Sequence, residues 1–283
     1  MPETLNTPFD PTRFDKQIAF DDMIRGLLIA GVVGVLLMTI VLPGSPLIAG
    51  VLAPSIVLGL WLWMSLSTAK VARSLSTFSE LMASEPGKAE EALDEMLKVR
   101  PVMRWARLLS YHRLAGLRHV EKRFADTASI CLCLLAQPLK GPAAATRPHL
   151  LLMLAEAQLE IGNLPGAYHA LAHLQQTRLG LAQSLQRLAL QTRYELAIGA
   201  YDHALHRARA KVQLAELMPA KHGATLHAML ATAAERTGQT KQADWLWQRT
   251  RLLAEPALFE ALRRGGFAMS VVEPDRDSGD APA

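Results

Sequence analysis

The sequence predicts an all-α chain in which a two-helix transmembrane hairpin precedes a domain of stacked helix pairs. Three observations lead there. Between Arg25 and Lys70 stand 44 consecutive residues without a charged side chain, broken near the middle by Pro43, Gly44, Ser45 and Pro46. Beyond Lys70, Leu and Ala dominate while Val and Ile nearly vanish after Ile130, a composition that favours helices over strands. Several Gly residues in that part are followed five positions later by Ala, at intervals expected of repeated helical hairpins. The chain has 283 residues, and the roughly 200 that follow the hairpin are enough to bury a core of their own.

Residues 26–42 and 47–66 are the expected spans, reaching about 26 and 30 Å as helices against a hydrocarbon core of about 30 Å. A cleaved signal peptide is the competing reading. It is opposed by the 25 preceding residues with Asp10, Asp15, Asp21 and Asp22, and by the immediate arrival of a second apolar run. Arg13, Lys16 and Arg25 before the hairpin and Lys70 and Arg73 after it, with an uncharged turn between, predict both termini and the helical domain to be cytoplasmic. Trp61 and Trp63 mark the exit of the second span, and Pro54 predicts a kink within it. Neither span holds an acidic, basic or histidine residue, so the hairpin reads as an anchor in the bilayer and not as a conduit. Gly26, Ala30 and Gly34 share one face of the first span; they serve close packing on the second span or a homodimer contact. The expected divisions are a cytoplasmic tail at 1–22, the hairpin at 23–69, the helical domain at 70–268 and a disordered acidic tail at 269–283.

Punctuation divides the helical domain. Ser84 and Pro86 open a helix to Val99, Pro101 opens one through Gly116, and Gly141-Pro142 forms a loop before Thr146 and Pro148 start the next. Asn163-Leu164-Pro165, Gly199, Pro219 and Gly238 are further breaks, and Pro256 introduces a final helix ending at Gly265-Gly266. About ten helices follow from these signals. The pairs Gly162 and Ala167, Gly199 and Ala204, and Gly238 and Ala243 share one pattern, repeated by Gly87 and Ala92. Gly accepts the left-handed backbone that ends one helix, and Ala lets the next approach closely.

Trp105, Leu108 and the turn Gly116, with the Gly-x4-Ala pairs and the small residues Ala155 and Ala231, resemble the tetratricopeptide repeat family over residues 84–254. The chain departs from that family at Leu109, in its spacings of 37 and 39 residues, and in the longer interval from 116 to 162. The resemblance implies an α-solenoid of tetratricopeptide-like helix pairs that binds a protein or peptide and has no catalytic activity of its own. The order of two spans followed by repeats is also similar to the layout of HemY-type membrane proteins.

Candidate chemistry is sparse. Lys98, Arg100, Arg104, Arg107, Arg113, Arg118, Lys122 and Arg123 stand against the single acid Glu121. They pair with the acidic region of Glu80, Glu85, Glu90, Glu91, Asp94 and Glu95, or contact anionic lipid headgroups. Nucleic acid is disfavoured because only Trp105 and Tyr111 interleave the charges. His169 and His173, and His203 and His206, each place two imidazoles on one helix face, yet neither pair has the third ligand or the Glu that a metal site needs. Cys131 and Cys133 read as part of a buried face with Ile130, Leu132 and Leu134. Asp202 reads as a helix N-cap. No phosphate loop, nucleophile elbow or zinc motif occurs, so neither an enzyme nor a cofactor is expected. The sequence therefore leads to a membrane-anchored interaction scaffold that recruits a protein or peptide, with an anionic-lipid or nucleic-acid surface binder through 98–123 as the alternative.

Overall fold

A computed structural model describes residues 8–41, 86–98 and 103–267, and singly residues 55, 58, 59, 62, 63, 66, 69 and 78. Among the described residues the chain is all-helical, with twelve α-helices and one 3-10 turn. It divides into two compact units, Met1–Glu121 with Ser129–Thr146, and Lys122–Ala128 with Arg147–Ala283.

The first unit contains α1 (Pro11–Val41), α2 (Pro86–Lys98), α3 (Arg104–Val120), the greater part of α4 (Phe124–Ala136) and the 3-10 turn Gly141–Thr146. Asp10 starts α1: its Oδ1 accepts from the Thr12 backbone N–H at 2.9 Å and from the Thr12 hydroxyl at 2.8 Å, with Pro11 at the position where a missing N–H costs nothing. These hydrogen bonds hold the Asp10 carboxyl below the usual carboxylate range. One turn later Phe14 and Ile18 are buried. The Phe14 ring meets Tyr111 of α3 edge-on at 4.7 Å, Phe9 closes on both rings, and the Tyr111 hydroxyl donates to Gln17.

The expected hairpin is corrected here. Residues 11–22 are helical and continuous with the apolar stretch. Within α1 the uncharged part is only 26–41, which rises about 24 Å, short of the roughly 30 Å of a hydrocarbon core. Among the described residues no helix is long and apolar enough to cross a membrane. The transmembrane hairpin and the integral-membrane placement are thereby overturned, and the orientation deduced from its basic flanks loses its basis. The turn Pro43 to Pro46, Pro54, Trp61, the charges Lys70, Arg73, Glu80, Glu85 and Arg100, and the tail 269–283 lie outside the described residues. Trp63 is described and exposed.

The second unit is a sequence of packed neighbours: α5 (Arg147–Glu160), α6 (Leu164–Gln175), α7 (Leu181–Ala197), α8 (Tyr201–Leu205), α9 (Ala208–Ala215), α10 (Ala220–Arg236), α11 (Thr240–Leu253) and α12 (Pro256–Arg263). α5 pairs with α6 and both pack on α7; α7 packs on α8, α9 and α10; α10 pairs with α11, and both meet α12. The first helix of each pair takes the interior. In α5 every residue from Leu150 to Leu159 is buried, and in α10 every residue from Gly223 to Ala234 except Thr232. Small residues make this possible: an added Cβ at Gly223 would lie 2.9 Å from the Ala215 carbonyl oxygen.

The pairing of α7 is built differently from the others. Its partner is broken at His206 and Arg207, where Arg207 takes a left-handed backbone with φ 55°. Lys211 of α9 spans the break, its Nζ donating to the Ala204 carbonyl at 2.8 Å and to Glu195 of α7 at 3.2 Å. A cation there complements the exposed carbonyls at the end of α8.

Candidate functional site

The repeated element of the second unit is a turn. Gly162, Gly199 and Gly238 all take left-handed φ, at +77°, +76° and +76°. At each, the Gly N–H donates to the carbonyl three residues back, and the following N–H donates five residues back: Asn163 to Gln158 at 2.9 Å, Ala200 to Glu195 at 2.8 Å, and Gln239 to Ala234 at 2.8 Å. This double closure satisfies carbonyls that a helix end leaves open. Five residues after each Gly, Ala167, Ala204 and Ala243 are buried.

Gly116 and Gly87 do not belong to the set. Gly116 lies inside α3 and Gly87 is the second residue of α2, so neither ends a helix, and Ala92 is half-buried. The upstream member is Lys122, whose φ is +61°. Thr127, five residues on, is fully buried and its N–H bonds the Arg123 carbonyl at 3.0 Å, just as Ala167 bonds Asn163, Ala204 bonds Ala200 and Ala243 bonds Gln239. The left-handed positions are therefore 122, 162, 199 and 238, separated by 40, 37 and 39 residues. Seven residues before each stands a fully buried small side chain, Ala115, Ala155, Thr192 or Ala231. A lysine in this backbone is strained by about 1 kcal/mol. Lys122→Gly is expected to raise stability by up to about 0.5 kcal/mol in urea unfolding, since relief of strain slightly exceeds the added chain entropy.

Four side chains of the basic segment, Arg104, Arg107, Arg118 and Arg123, are held in ion pairs. Arg107 Nε lies 3.0 Å from Asp21 with both side chains largely buried, and its Nη1 donates to the Leu97 carbonyl at 2.9 Å. Arg104 pairs with Asp22 at 3.0 Å and donates to Gln137; Arg118 pairs with Glu121 at 2.6 Å and Arg123 with Asp126 at 2.6 Å. The described carboxylates that pair with Arg104 and Arg107, Asp22 and Asp21, come from α1. Arg113 is half-buried and Lys122 exposed. The charge at Lys98 and Arg100 falls outside the described side chains.

His169 and His173 lie on α6, both exposed. His203 and His206 are not on one helix face, because α8 ends at Leu205 and His206 is extended with ψ 125°. Among the described residues no group of three or more His, Cys, Asp or Glu is placed to hold a metal ion. Cys131 is fully buried, which pushes its thiol far above the ordinary range, while Cys133 is half-buried and Leu132 is exposed, so the apolar face consists of Ile130, Cys131 and Leu134. Asp202 sits in the first turn of α8, and Ala200 holds the N-cap position. Gly26 and Ala30 are exposed on α1, and an added Cβ at Gly26 or Gly34 would meet nothing within 4 Å.

Two polar features escaped the sequence reading. Glu235 accepts from Trp247 Nε1 at 2.7 Å and from Arg263 at 3.0 Å, and the Arg263 guanidinium lies 4.5 Å from the centre of the Trp247 ring, so one carboxylate joins α10, α11 and α12. His227, in the middle of α10, is fully buried and neither ring nitrogen has a hydrogen-bond partner. Large exposed apolar side chains stand on the second helices, notably Tyr168 of α6, whose ring is 6.0 Å from Tyr194, and Trp245 of α11.

No family model matches the chain, and neither the curated proteins nor the solved structures contain a match to it.

Proposed function

We propose that the stacked pairs of the second unit form a tetratricopeptide-like α-solenoid that recruits a protein or peptide partner and performs no chemistry itself. The observation that carries this reading is the left-handed turn recurring at 122, 162, 199 and 238, each with a buried small residue seven positions before it and five after it. The described helix pairs of the second unit pack on their sequence neighbours, an arrangement that suits binding an extended segment of another chain. The exposed rings of Tyr168 and Trp245 are the anchors this reading assigns, since aromatic side chains combine large contact area with few rotatable bonds.

Photo-crosslinking tests it. A photoreactive phenylalanine derivative placed at Tyr168 or Trp245 of the full chain in cells is expected to give one discrete adduct with a second protein. The same group at exposed Arg209 should not give that adduct. Absence of any adduct from both aromatic positions, or one identical smear from all three, would overturn the assignment.

A further inference from the structure

His227 occupies a slot that the other pairs fill with leucine or, in one case, a tyrosine whose hydroxyl is hydrogen-bonded. Counting eleven residues back from each left-handed turn position gives Tyr111, Leu151, Leu188 and His227. Tyr111 and Leu151 are buried there and Leu188 packs against the core of the following pair. His227 is buried completely, between Leu226 and Ala228 of the apolar cluster formed by α10, α11 and their neighbours. An imidazole with two unpartnered nitrogens in such a place is tolerable while neutral and costly once charged.

The groups facing it add to this asymmetry. Arg249 approaches from α11 and opposes a second positive charge, while Glu216 at the end of α9 favours one. Arg249 and Glu216 are already joined to each other as an ion pair, so the carboxylate is committed. The charges that act on it are these two, Arg249 and Glu216. Burial, then Arg249, hold the imidazole below its ordinary titration range against the weaker pull of Glu216.

We propose that His227 is an acid-sensitive latch of the α10–α11 pair: neutral, it lets the two helices close over it, and its protonation forces them apart. The direction follows from proton linkage. Because the folded chain binds this proton less readily than the unfolded chain, stability is complete above the unfolded value near 6.5 and falls as pH drops from there toward the folded value.

The test uses three forms of the full chain: wild type, His227→Leu, which restores the residue found in the slot of α5 and α7, and His227→Gln, which stays polar but does not titrate. Urea unfolding between pH 7.5 and 5.0 should show the folded-to-unfolded ratio of wild type falling relative to both variants by up to about tenfold per pH unit below 6.5. Amide protection in α10 and α11, scaled to the chemical exchange rate at each pH, should fall at pH 5.5 in wild type and persist in His227→Leu. Parallel pH profiles for all three, or undiminished wild-type protection in α10 and α11 at pH 5.5, would overturn the proposal. If one variant does not fold, the comparison with the other decides it in the same way.

Discussion

Trp247→Ala is expected to destabilise the chain by about 3–5 kcal/mol in urea unfolding followed by helix content, the largest loss any single substitution in the second unit should give. The side chain is 7% exposed and packs edge-on against Phe259 at 6.0 Å. Its removal leaves a cavity between three helices, deprives Glu235 of the indole donor and takes away the ring beneath Arg263. Trp247→Phe separates these contributions. The smaller ring keeps most of the burial, so its cost should be about 1–2 kcal/mol, with the lost hydrogen bond to Glu235 as a main part. A cost for Phe equal to that for Ala would show that the carboxylate contact, and not packing, holds α12.

In the first unit the largest loss should come from Asp21→Ala, at about 3 kcal/mol. The Arg107 guanidinium is 5% exposed and Asp21 12%, so removal of the carboxylate strands a charge away from water, with the Leu97 carbonyl as a remaining acceptor. The adjacent pair is a built-in control. Asp22 and Arg104 also meet at 3.0 Å, but with side-chain exposures of 41% and 25%, so Asp22→Ala should cost less than 1 kcal/mol. Equal effects of the two substitutions in urea unfolding at pH 7 would show that burial does not set the difference.

Much of the helical layout was readable because its punctuation is local. Pro86 and Pro256 begin helices, and Gly162, Gly199 and Gly238 end them, since the left-handed backbone is a property of a residue and its immediate neighbours. What failed was whatever depended on packing. Lys122 performs the work of a turn Gly without resembling one, and the attractive Gly116 nearby drew the repeat register six residues out of place; the interval of 40 residues upstream of Gly162, falling on Lys122, was the available signal. The start of α1 was equally available in Asp10-Pro11-Thr12, but the uncharged stretch after Arg25 dominated the reading and became a hairpin. α5 is buried on all sides over Leu150–Leu159, so no amphipathic stripe marks it, and the break at His206 and Arg207 has neither Gly nor Pro. His227 could not be recognised as exceptional until the turn positions aligned it with Leu151 and Leu188.

The contacts that seat α1 on α3 join residues far apart in the chain: 82 positions for Arg104 and Asp22, 86 for Arg107 and Asp21, and 94 for Tyr111 and Gln17. Loop closure over such a span must precede any reward from those contacts, whereas each pair in the second unit gains its contacts from residues a turn away. Synthesis order gives no advantage, since the first helix emerges from the ribosome long before its acceptor. Among the contacts of the described residues, the seating of α1 is therefore the association whose speed is set by chain diffusion, and the one a chaperone would have the longest interval to guard.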